Sequence, residues 1–534
     1  MDRNCQSLAG LEPLLELLRP KLILQSQEVL LSQASSHLFK QQAYMIYRFI
    51  ILFFAFGLGL HAEVTAPTDS DRPNIVIIYV DDLARGDVGA FGCPDPGTEN
   101  IDRLAEQGVM LTNAYTNNAP CCPSRTAVMM GMYTQRFGKY GLSRGVPIPE
   151  DKPTMAETLR DAGYMTGIVG LEKWDIGKWD QGALDEGFME AGMQPPRVPK
   201  LNEQGYGHRS WQLDLYGQYG TEVEGNYCVD FIQRHADGDK PFFLYYVPLA
   251  VHTPLFEVPQ KYLDMLYPDH VGKYKPRQYL RANLLCLDIQ IGRILQALDE
   301  TGAADNTLVI FSSDNGGDPA GQHRPDPYRG GKRGKNRYNL QWEGNYRMPT
   351  IFSFPGRLPE GTSYEGMSGT LDFYATAAAI ADIEAPDHLD GKNMLPLLTG
   401  EQAPDPERIF FWNTHGSEIV RWKQWRLVQF RDQGWRLYDI EEDPSETRNL
   451  ADRYPEIAAQ LEARYTDWLS QMEEPRKPVR PPEALIPHTN GGHHARRPFG
   501  RGWMTVERWN QIKDDPSQWS ETAARKRFFE ALEL

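Results

Sequence analysis

The apolar run IVIIYV at residues 75–80 is the strongest constraint on what this chain can fold into. The run is continuous and rich in β-branched residues, which is typical of a strand buried on both faces. The rest of the pattern predicts helices over 100–108, 155–163 and 279–301 and strands over 165–169, 241–248 and 307–313. Such alternation indicates an α/β fold in which helices sandwich a large, mostly parallel sheet.

Polar residues follow three of the predicted strands. Asp81 and Asp82 come after the first, His252 after the second, and Asp314 and Asn315 after the third. Parallel sheets bind ligands outside the carboxyl ends of their strands, so we expect the two oxygen-rich pairs to meet around one cation. Carboxylate and amide oxygens suit Ca²⁺ or Mg²⁺ better than zinc. The alternative is that each pair only forms a turn or caps a helix.

Composition narrows the class of protein without giving a function. The chain has 534 residues, of which 41% are hydrophobic and 24% charged, as in ordinary globular proteins. Disordered, collagen-like and coiled-coil architectures are therefore excluded. The net charge of -16 disfavours nucleic acid as a partner, because an acidic surface repels phosphate backbones.

The N-terminal region contains a short apolar run, FIILFFAFGLGL at 49–60, directly after Arg48. A basic residue, an apolar stretch and a following small residue predict a secretory signal peptide over 45–62. The run is too short to cross a membrane, so we expect no stable membrane span. We interpret 1–44 as a spurious extension ahead of a true start at Met45; the alternative is an uncleaved amphipathic extension. The sequence thus predicts an exported protein, periplasmic or secreted.

The adjacent cysteines at 121 and 122 stand out among six that form no disulfide framework. Residues 121–125 read CCPSR and lead through TAVMM to Gly131. This segment resembles the C-x-P-S-R signature of the formylglycine-dependent (type I) sulfatases of the alkaline phosphatase superfamily. The resemblance implies that a formylglycine-generating enzyme oxidises Cys121 to formylglycine, while Cys122 occupies the variable position.

The hydrate of a formylglycine at residue 121 would both attack the sulfur of the substrate and later release sulfate. In its hydrated form one hydroxyl attacks sulfur, and the second lets the sulfated intermediate collapse and eject sulfate, which a serine cannot do. Coordination to a metal helps to deprotonate the attacking hydroxyl. The N-terminus of the helix that follows the cysteine motif favours the binding of an anion such as the sulfate group.

The resemblance continues in order over residues 73–470. It implies an alkaline-phosphatase-like fold with a catalytic domain over 63–400, a smaller C-terminal α+β subdomain over 401–470 and an extension over 471–534. The matching segments are PNIV and DDL at 73–83, NIDRL at 100–104, HTP at 252–254, SDNG at 313–316, RGGK at 329–332, EGNYRMP at 343–349, LDG through LPLL at 389–398, and WRLYD at 435–439.

The resemblance also implies roles for individual residues. Arg125 is expected to hydrogen-bond the formylglycine, and Lys173 and Lys332 to clamp the sulfate oxygens. His252 is expected to bind sulfate or to protonate the leaving alcohol. The cation is expected to be Ca²⁺, with Mg²⁺ as the alternative, and its ligands are Asp81, Asp82, the modified Cys121, Asp314 and Asn315.

Two segments depart from the family pattern. GLEKWDIG at 170–177 carries two inserted residues, and Asp175 stands where a histidine usually handles the formylglycine hydroxyl. Asp175 remains a catalytic candidate because a carboxylate accepts a proton, although it also brings negative charge towards an anionic substrate. A rival register uses Lys178 and again ends in aspartate. In the second segment, ten residues separate Lys332 from Glu343, and Lys335 competes with Lys332 for the same role. We prefer Lys332 because Arg-Gly-Gly precedes it.

Three residues are candidates for binding the substrate. Trp412 and His415 lie where sulfatases often reach into the pocket from the small domain, and they would stack on and hydrogen-bond a sugar. A packed strand end is the alternative for both. His208 lies in an insertion of the large domain. With the predicted export, these residues point to a sulfated carbohydrate.

The sequence therefore predicts an exported sulfatase that uses a formylglycine hydrate and a divalent cation. Two alternatives remain open. One is a phosphonate or phosphate diester hydrolase of the same superfamily. The other, suggested by the missing histidine, is a catalytically degenerate protein that binds sulfated glycans.

Overall fold

The fold is taken from a computed structural model of the chain. No helix in the described part of the chain is both long and apolar enough to cross a membrane. The 1–44 extension, the predicted signal peptide and most of the C-terminal extension lie outside that part. The structure describes residues 72–141, 146–170, 187–192, 197–201, 207–214, 219–253, 255–332, 340–431, 433–476 and 503–505.

A nine-stranded mixed sheet forms the centre of the molecule. Its strands lie in the order β11-β2-β10-β9-β1-β8-β4-β5-β17. They are β1 (Asn74–Val80), β2 (Val109–Leu111), β4 (Met165–Gly170), β5 (Glu190–Gly192), β8 (Phe242–Val247), β9 (Thr307–Ser313), β10 (Ile351–Ser353), β11 (Thr362–Tyr364) and β17 (Trp503–Thr505). Two short pairs lie apart from this sheet, β3 (Ala114–Tyr115) with β12 (Ser368–Gly369) and β6 (Arg197–Leu201) with β7 (Gly207–Asp214).

The middle of the sheet is parallel, as the sequence predicts. β1 lies between β8 and β9 and is parallel to both, and β4 continues the parallel set. The register pairs Val80 with Ser313 at the carboxyl ends of β1 and β9. The residues that follow these two strands therefore emerge side by side.

Both faces of the sheet are covered, which explains the uninterrupted apolar run in β1. Ile75, Ile77 and Tyr79 belong to the core on one face, while Val76 and Ile78 belong to the core on the other. The predicted helices over 100–108, 155–163 and 279–301 are present with slightly shifted bounds. The nine helices of the described residues are α1 (Glu99–Glu106), α2 (Cys121–Met130), α3 (Met155–Asp161), α4 (Gly220–His235), α5 (Gln260–Leu266), α6 (Pro276–Glu300), α7 (Asp372–Ile380), α8 (Leu395–Leu398) and α9 (Pro455–Ser470).

A separate antiparallel sheet forms the C-terminal subdomain. Its four strands are consecutive hairpins, β13 (Ile409–Thr414), β14 (Ser417–Trp422), β15 (Trp425–Phe430) and β16 (Arg436–Asp439). α9 packs on this sheet, and Trp468 stacks on Phe411 with ring centroids 5.2 Å apart. The α+β subdomain predicted from the sequence is confirmed.

A buried polar cluster, the Glu343 clasp, joins the C-terminal sheet to the large domain. Glu343 accepts a 2.6 Å hydrogen bond from Tyr115 and lies 3.2 Å from the guanidinium of Arg426 on β15. Its backbone amide donates to Glu446, which also pairs with Arg426. Arg421 on β14 completes the cluster, 3.7 Å from Glu343. Since all these groups are buried, each charge depends on its partners to offset the cost of desolvation.

Candidate active site

The two oxygen-rich pairs meet at the carboxyl edge of the sheet. Asp81 and Asp82 follow β1, and Asp314 and Asn315 follow β9. The amide of Asp314 donates to Val80, and the amide of Asp82 donates to the Asp314 carboxylate at 3.1 Å. Asp82 has φ of 64°, in the left-handed region that aspartate tolerates better than most residues. All four side chains are buried.

Helix α2 brings the motif cysteine to the same place. Cys121 is its first residue, and Arg125 lies one turn later on the same face. The Arg125 guanidinium is 3.0 Å from Asp81 and 2.7 Å from Asp314. The helix ends at Gly131 in the left-handed conformation, where a Cβ would approach Leu389 to 2.6 Å. Arg125 therefore links the cysteine helix to both strand ends.

Lys332 reaches the cysteine from the loop after β9. Its Nζ lies 2.8 Å from the Cys121 sulfur and 2.7 Å from an Asp82 oxygen. The side chain is 3% exposed, and its backbone amide donates to Gly317. Lys335, the competing lysine, lies outside the described residues. The structure thus brings Lys332 next to Cys121, and its role in binding sulfate stays a prediction.

The chemistry of the donor set fits a hard divalent cation. The Cys121 sulfur and one carboxylate oxygen each from Asp81, Asp82 and Asp314 all lie within 4.8 Å of one another. Within the described residues, three buried oxygens here accept no hydrogen bond: Asp81 Oδ1, Asp82 Oδ2 and Asn315 Oδ1. Unpaired buried oxygens are costly unless something else binds them. An oxygen-preferring ion such as Ca²⁺ or Mg²⁺ would satisfy all three.

The charged groups of the site perturb one another. Burial raises the pKa of Asp314, and the Asp81 carboxylate raises it further. Burial acts in the same direction on Asp81, but the attraction of Arg125 and other cations holds its pKa well below the usual range. Desolvation opposes the charge on Lys332, yet its carboxylate neighbours, Asp82 foremost, hold its pKa well above the ordinary value. A bound divalent cation would favour the ionised form of every carboxylate ligand.

His252 faces the site from the loop after β8. Its Nδ1 lies 2.5 Å from the carbonyl oxygen of Thr253, and its Nε2 lies 3.7 Å from an Asp82 oxygen. A carbonyl oxygen only accepts hydrogen bonds, so Nδ1 carries a proton here. Nε2 is therefore the ring nitrogen of His252 that is directed towards Asp82.

His415 is one of the three residues predicted to bind substrate. His415 directly follows β13, whose last residue, Thr414, donates to the carbonyl of Ala119, two residues before Cys121. A Cβ on Gly141 would lie 2.7 Å from the His415 ring, so this histidine packs directly over that glycine. Burial lowers the pKa of His415, which favours the neutral ring. His415 thus lies close to the segment that carries the cysteine.

Trp412 does not have the exposure that stacking on a sugar requires. It is 1% exposed, its indole donates to the carbonyl of Thr116, and its ring packs on Tyr346 at 4.9 Å. The prediction that Trp412 binds substrate is wrong, and the packed strand end is the better interpretation. The reason is that its side chain packs in a core formed by the C-terminal sheet, β3 and neighbouring loops.

Several predicted residues are not placed with side chains. His208 lies on β7 opposite Lys200, and its side chain is outside the described part of the structure. Lys173 and Asp175 also lie outside the described residues, as does the rival Lys178. Their roles stay predictions.

Two residues without a predicted role, Ser124 and Asp318, hold segments of the site in place through hydrogen bonds. Ser124, inside the cysteine motif, hydrogen-bonds Tyr79 of β1 at 2.6 Å and Thr116 at 2.8 Å, which fixes α2 against the sheet. Asp318 accepts a hydrogen bond from Thr253 and so ties the His252 loop to the segment after Asn315. The motif position of Ser124 was a usable signal, whereas Asp318 has none because its partner lies 65 residues away.

Family models and individual relatives both show that this chain is similar to sulfatases. The family model described as sulfatase matches residues 73–383, and the model of the N-sulphoglucosamine sulphohydrolase C-terminal region matches residues 334–472. Arylsulfatase A from Bos taurus is 28% identical over 511 residues, covering 79% of this chain and 94% of the relative. N-acetylgalactosamine-6-O-sulfatase from Bacteroides thetaiotaomicron is 28% identical and covers 74% of this chain and 92% of its own length.

A solved structure extends the likeness to the fold. The crystal structure of Ps i-CgsB in complex with k-i-k-neocarrahexaose superposes with a TM-score of 0.66 at 28% identity. The superposition covers 76% of this chain and 94% of the other.

Proposed function

The chain belongs to the sulfatase family and is a sulfuric ester hydrolase, and on that premise we propose that it removes sulfate from a sulfated carbohydrate with a formylglycine made from Cys121. The observation that carries this proposal is the convergence on Cys121. Lys332 lies 2.8 Å from its sulfur, three carboxylates have an oxygen within 4.8 Å of it, and Arg125 pairs with two of them. Nucleophile, cation site and anion-binding lysine thus occupy one pocket.

The proposal assigns the cation site to Asp81, Asp82, Asp314 and Asn315, with residue 121 as a further ligand. A bound Ca²⁺, or Mg²⁺ in its place, would supply positive charge next to the sulfate and lower the pKa of a coordinated hydroxyl. Arg125 lies between Asp81 and Asp314 and offsets their negative charge. The ligand positions are therefore held before any substrate arrives.

Two side chains handle the substrate in this proposal. Lys332 donates hydrogen bonds to a sulfate oxygen and stabilises the charge that builds up as the ester bond breaks. His252 delivers a proton from Nε2 to the leaving alcohol, while Nδ1 keeps its proton and donates it in a hydrogen bond to the Thr253 carbonyl. Asp175 is retained as the group that receives the hydroxyl proton in place of the usual histidine.

A carbohydrate substrate is supported by what the relatives act on. One relative is an N-acetylgalactosamine-6-O-sulfatase, and one similar structure holds a neocarrahexaose. His415, beside the cysteine segment, would contact the sugar. Export, through the predicted signal peptide over 45–62, is part of the same proposal because sulfated polysaccharides are extracellular polymers.

Peptide mass spectrometry tests the nucleophile. The protein is expressed in a host that contains a formylglycine-generating enzyme, and the tryptic peptide from Leu104 to Arg125 is fragmented. We expect the mass decrease of a thiol converted to an aldehyde at residue 121, with Cys122 unmodified. A Cys122→Ser variant keeps the modification, and Cys121→Ser loses it. An unmodified Cys121 in a host that modifies a control sulfatase would refute the proposed mechanism.

Kinetics separate the remaining alternatives. A sulfatase hydrolyses an aryl sulfate faster than the matched aryl phosphate diester or phosphonate, and a phosphonate or diester hydrolase does the reverse. The degenerate alternative rests on Asp175 in place of histidine. It would be favoured if fully modified protein bound a sulfated oligosaccharide and turned over no ester.

A further inference from the structure

Arg85 is a partly buried arginine that packs on aromatic rings in an acidic chain. Its guanidinium lies 4.8 Å from the ring centroid of Phe91 and 5.8 Å from that of Tyr328. Its buried Nε has no hydrogen-bond partner, and the side chain forms no ion pair within the part of the chain that the structure describes. An arginine carries five N–H donors, and a buried one that lacks an acceptor, such as Nε of Arg85, is unusual. It is more so in a protein of net charge -16.

A second arginine lies against the same aromatic ring. The Arg347 guanidinium is 4.4 Å from the Tyr328 centroid, and it is fixed by two hydrogen bonds to the carbonyl of Thr112 at 3.0 and 2.8 Å. Burial lowers the pKa of Arg85, and the positive charge of Arg347 lowers it as well. Arg347 also lies 3.5 Å from the Glu343 carboxylate, whereas Arg85 has no carboxylate partner among the described residues. An added anion would therefore stabilise Arg85 in particular.

This pair lies near the proposed active site and at the same edge of the sheet. Arg85 follows Asp82 by three residues, so their Cα atoms are within about 11 Å of one another. Tyr328 precedes Lys332 by four residues. Thr112 follows β2, which ends at the same edge as β9 because both strands are antiparallel to β10. Arg85, Phe91, Tyr328 and Arg347 are all partly exposed, so solutes reach them.

We propose that Arg85 and Arg347, on either side of Tyr328, bind a second anionic group of the substrate, on a sugar next to the one that loses its sulfate. That group is a sulfate ester or a carboxylate, both of which match the planar fork of a guanidinium. The proposal rests on the proposed function, because it requires an oligosaccharide substrate. It makes the enzyme selective for a polyanionic glycan over an isolated sulfated sugar.

A binding measurement tests the subsite without turnover. The full chain with Cys121→Ala and Ca²⁺ is titrated into a fluorescent chondroitin 6-sulfate hexasaccharide, which carries both sulfate esters and carboxylates. We expect Arg85→Gln to raise Kd about tenfold and to weaken its salt dependence, since one charged hydrogen-bond donor is lost. Arg85→Lys should recover part of the affinity.

The matched control is Arg357→Gln. Arg357 also lies over a phenylalanine, 4.8 Å from the Phe354 centroid, but it contacts Asn306 at the opposite edge of the sheet. Its Kd should stay within about twofold of the parent. Equal Kd values for Arg85→Gln and Arg357→Gln, or no binding of the hexasaccharide by the parent, would overturn the subsite.

A second assay keeps the two proposals distinguishable. Release of inorganic sulfate from the same hexasaccharide by the fully modified wild-type protein reports the reaction. If it is absent while binding depends on Arg85, the proposed hydrolysis fails and the subsite stands. If it is present while binding ignores Arg85, the subsite alone fails.

Discussion

Replacing Glu446 with glutamine measures the energetics of the Glu343 clasp. Glutamine keeps the shape of the side chain and an oxygen for the amide of Glu343, but it does not titrate. Glu446 is 1% exposed, and burial raises its pKa from 4.5 to about 7 against the attraction of Arg426. The difference between these two values corresponds to roughly 3 kcal/mol of unfolding free energy.

The sign of the effect follows from the direction of the pKa change. Because the pKa of Glu446 is higher in the folded than in the unfolded protein, folding favours the protonated form. That contribution is fully present below pH 4.5 and is lost as the pH rises to about 7. Over this window the wild-type protein should lose about 3 kcal/mol of unfolding free energy that Glu446→Gln retains.

Urea unfolding, followed by tryptophan fluorescence at several pH values across this window, is the appropriate assay. Glu442→Gln is the matched control, since Glu442 lies on the same loop with an exposed side chain and should follow the wild-type curve. Parallel curves for wild type and Glu446→Gln would refute the reasoning. If the wild-type protein instead gained stability relative to Glu446→Gln as the pH rises, the attraction of Arg426 would outweigh the cost of burying the Glu446 charge.

Further predictions concern the active site directly. Chelation of divalent cations should abolish turnover and lower the thermal midpoint, and Ca²⁺ should restore both; turnover that survives exhaustive chelation would contradict the cation site. Asn315→Ala should raise the Ca²⁺ concentration for half-maximal activity about tenfold or more, as measured by calcium titration. Lys332→Met should lower kcat by about 10²–10³-fold and Lys335→Met should not; the reverse order would give the role to Lys335. Trp412→Ala should cost about 3–5 kcal/mol of stability in denaturant unfolding, whereas His415→Ala should raise KM for a sulfated oligosaccharide with little change in stability.

The assignment of Lys332 depends on a contact that no local pattern encodes. The preceding Arg-Gly-Gly favours Lys332 over Lys335, and the structure adds that Lys332 lies 2.8 Å from a sulfur 211 residues earlier in the chain. Trp412 shows the opposite case. Its position in the chain suggested a pocket, but the direction of its side chain from β13 places it in the core.

The sequence by itself determined the elements and the chemistry at their ends. A continuous β-branched run such as 75–80 is stable only as a strand covered on both faces, and the topology of a parallel sheet then brings Asp81 and Asp314 to one edge. Only the tertiary structure decided which distant side chains meet: Lys332 with Cys121, and Arg85 with Tyr328 rather than with a carboxylate. The physical reason is that backbone preference and hydrophobic periodicity act over a few residues. Partners hundreds of residues apart are set by strand register and side-chain packing, which exist only in the folded chain.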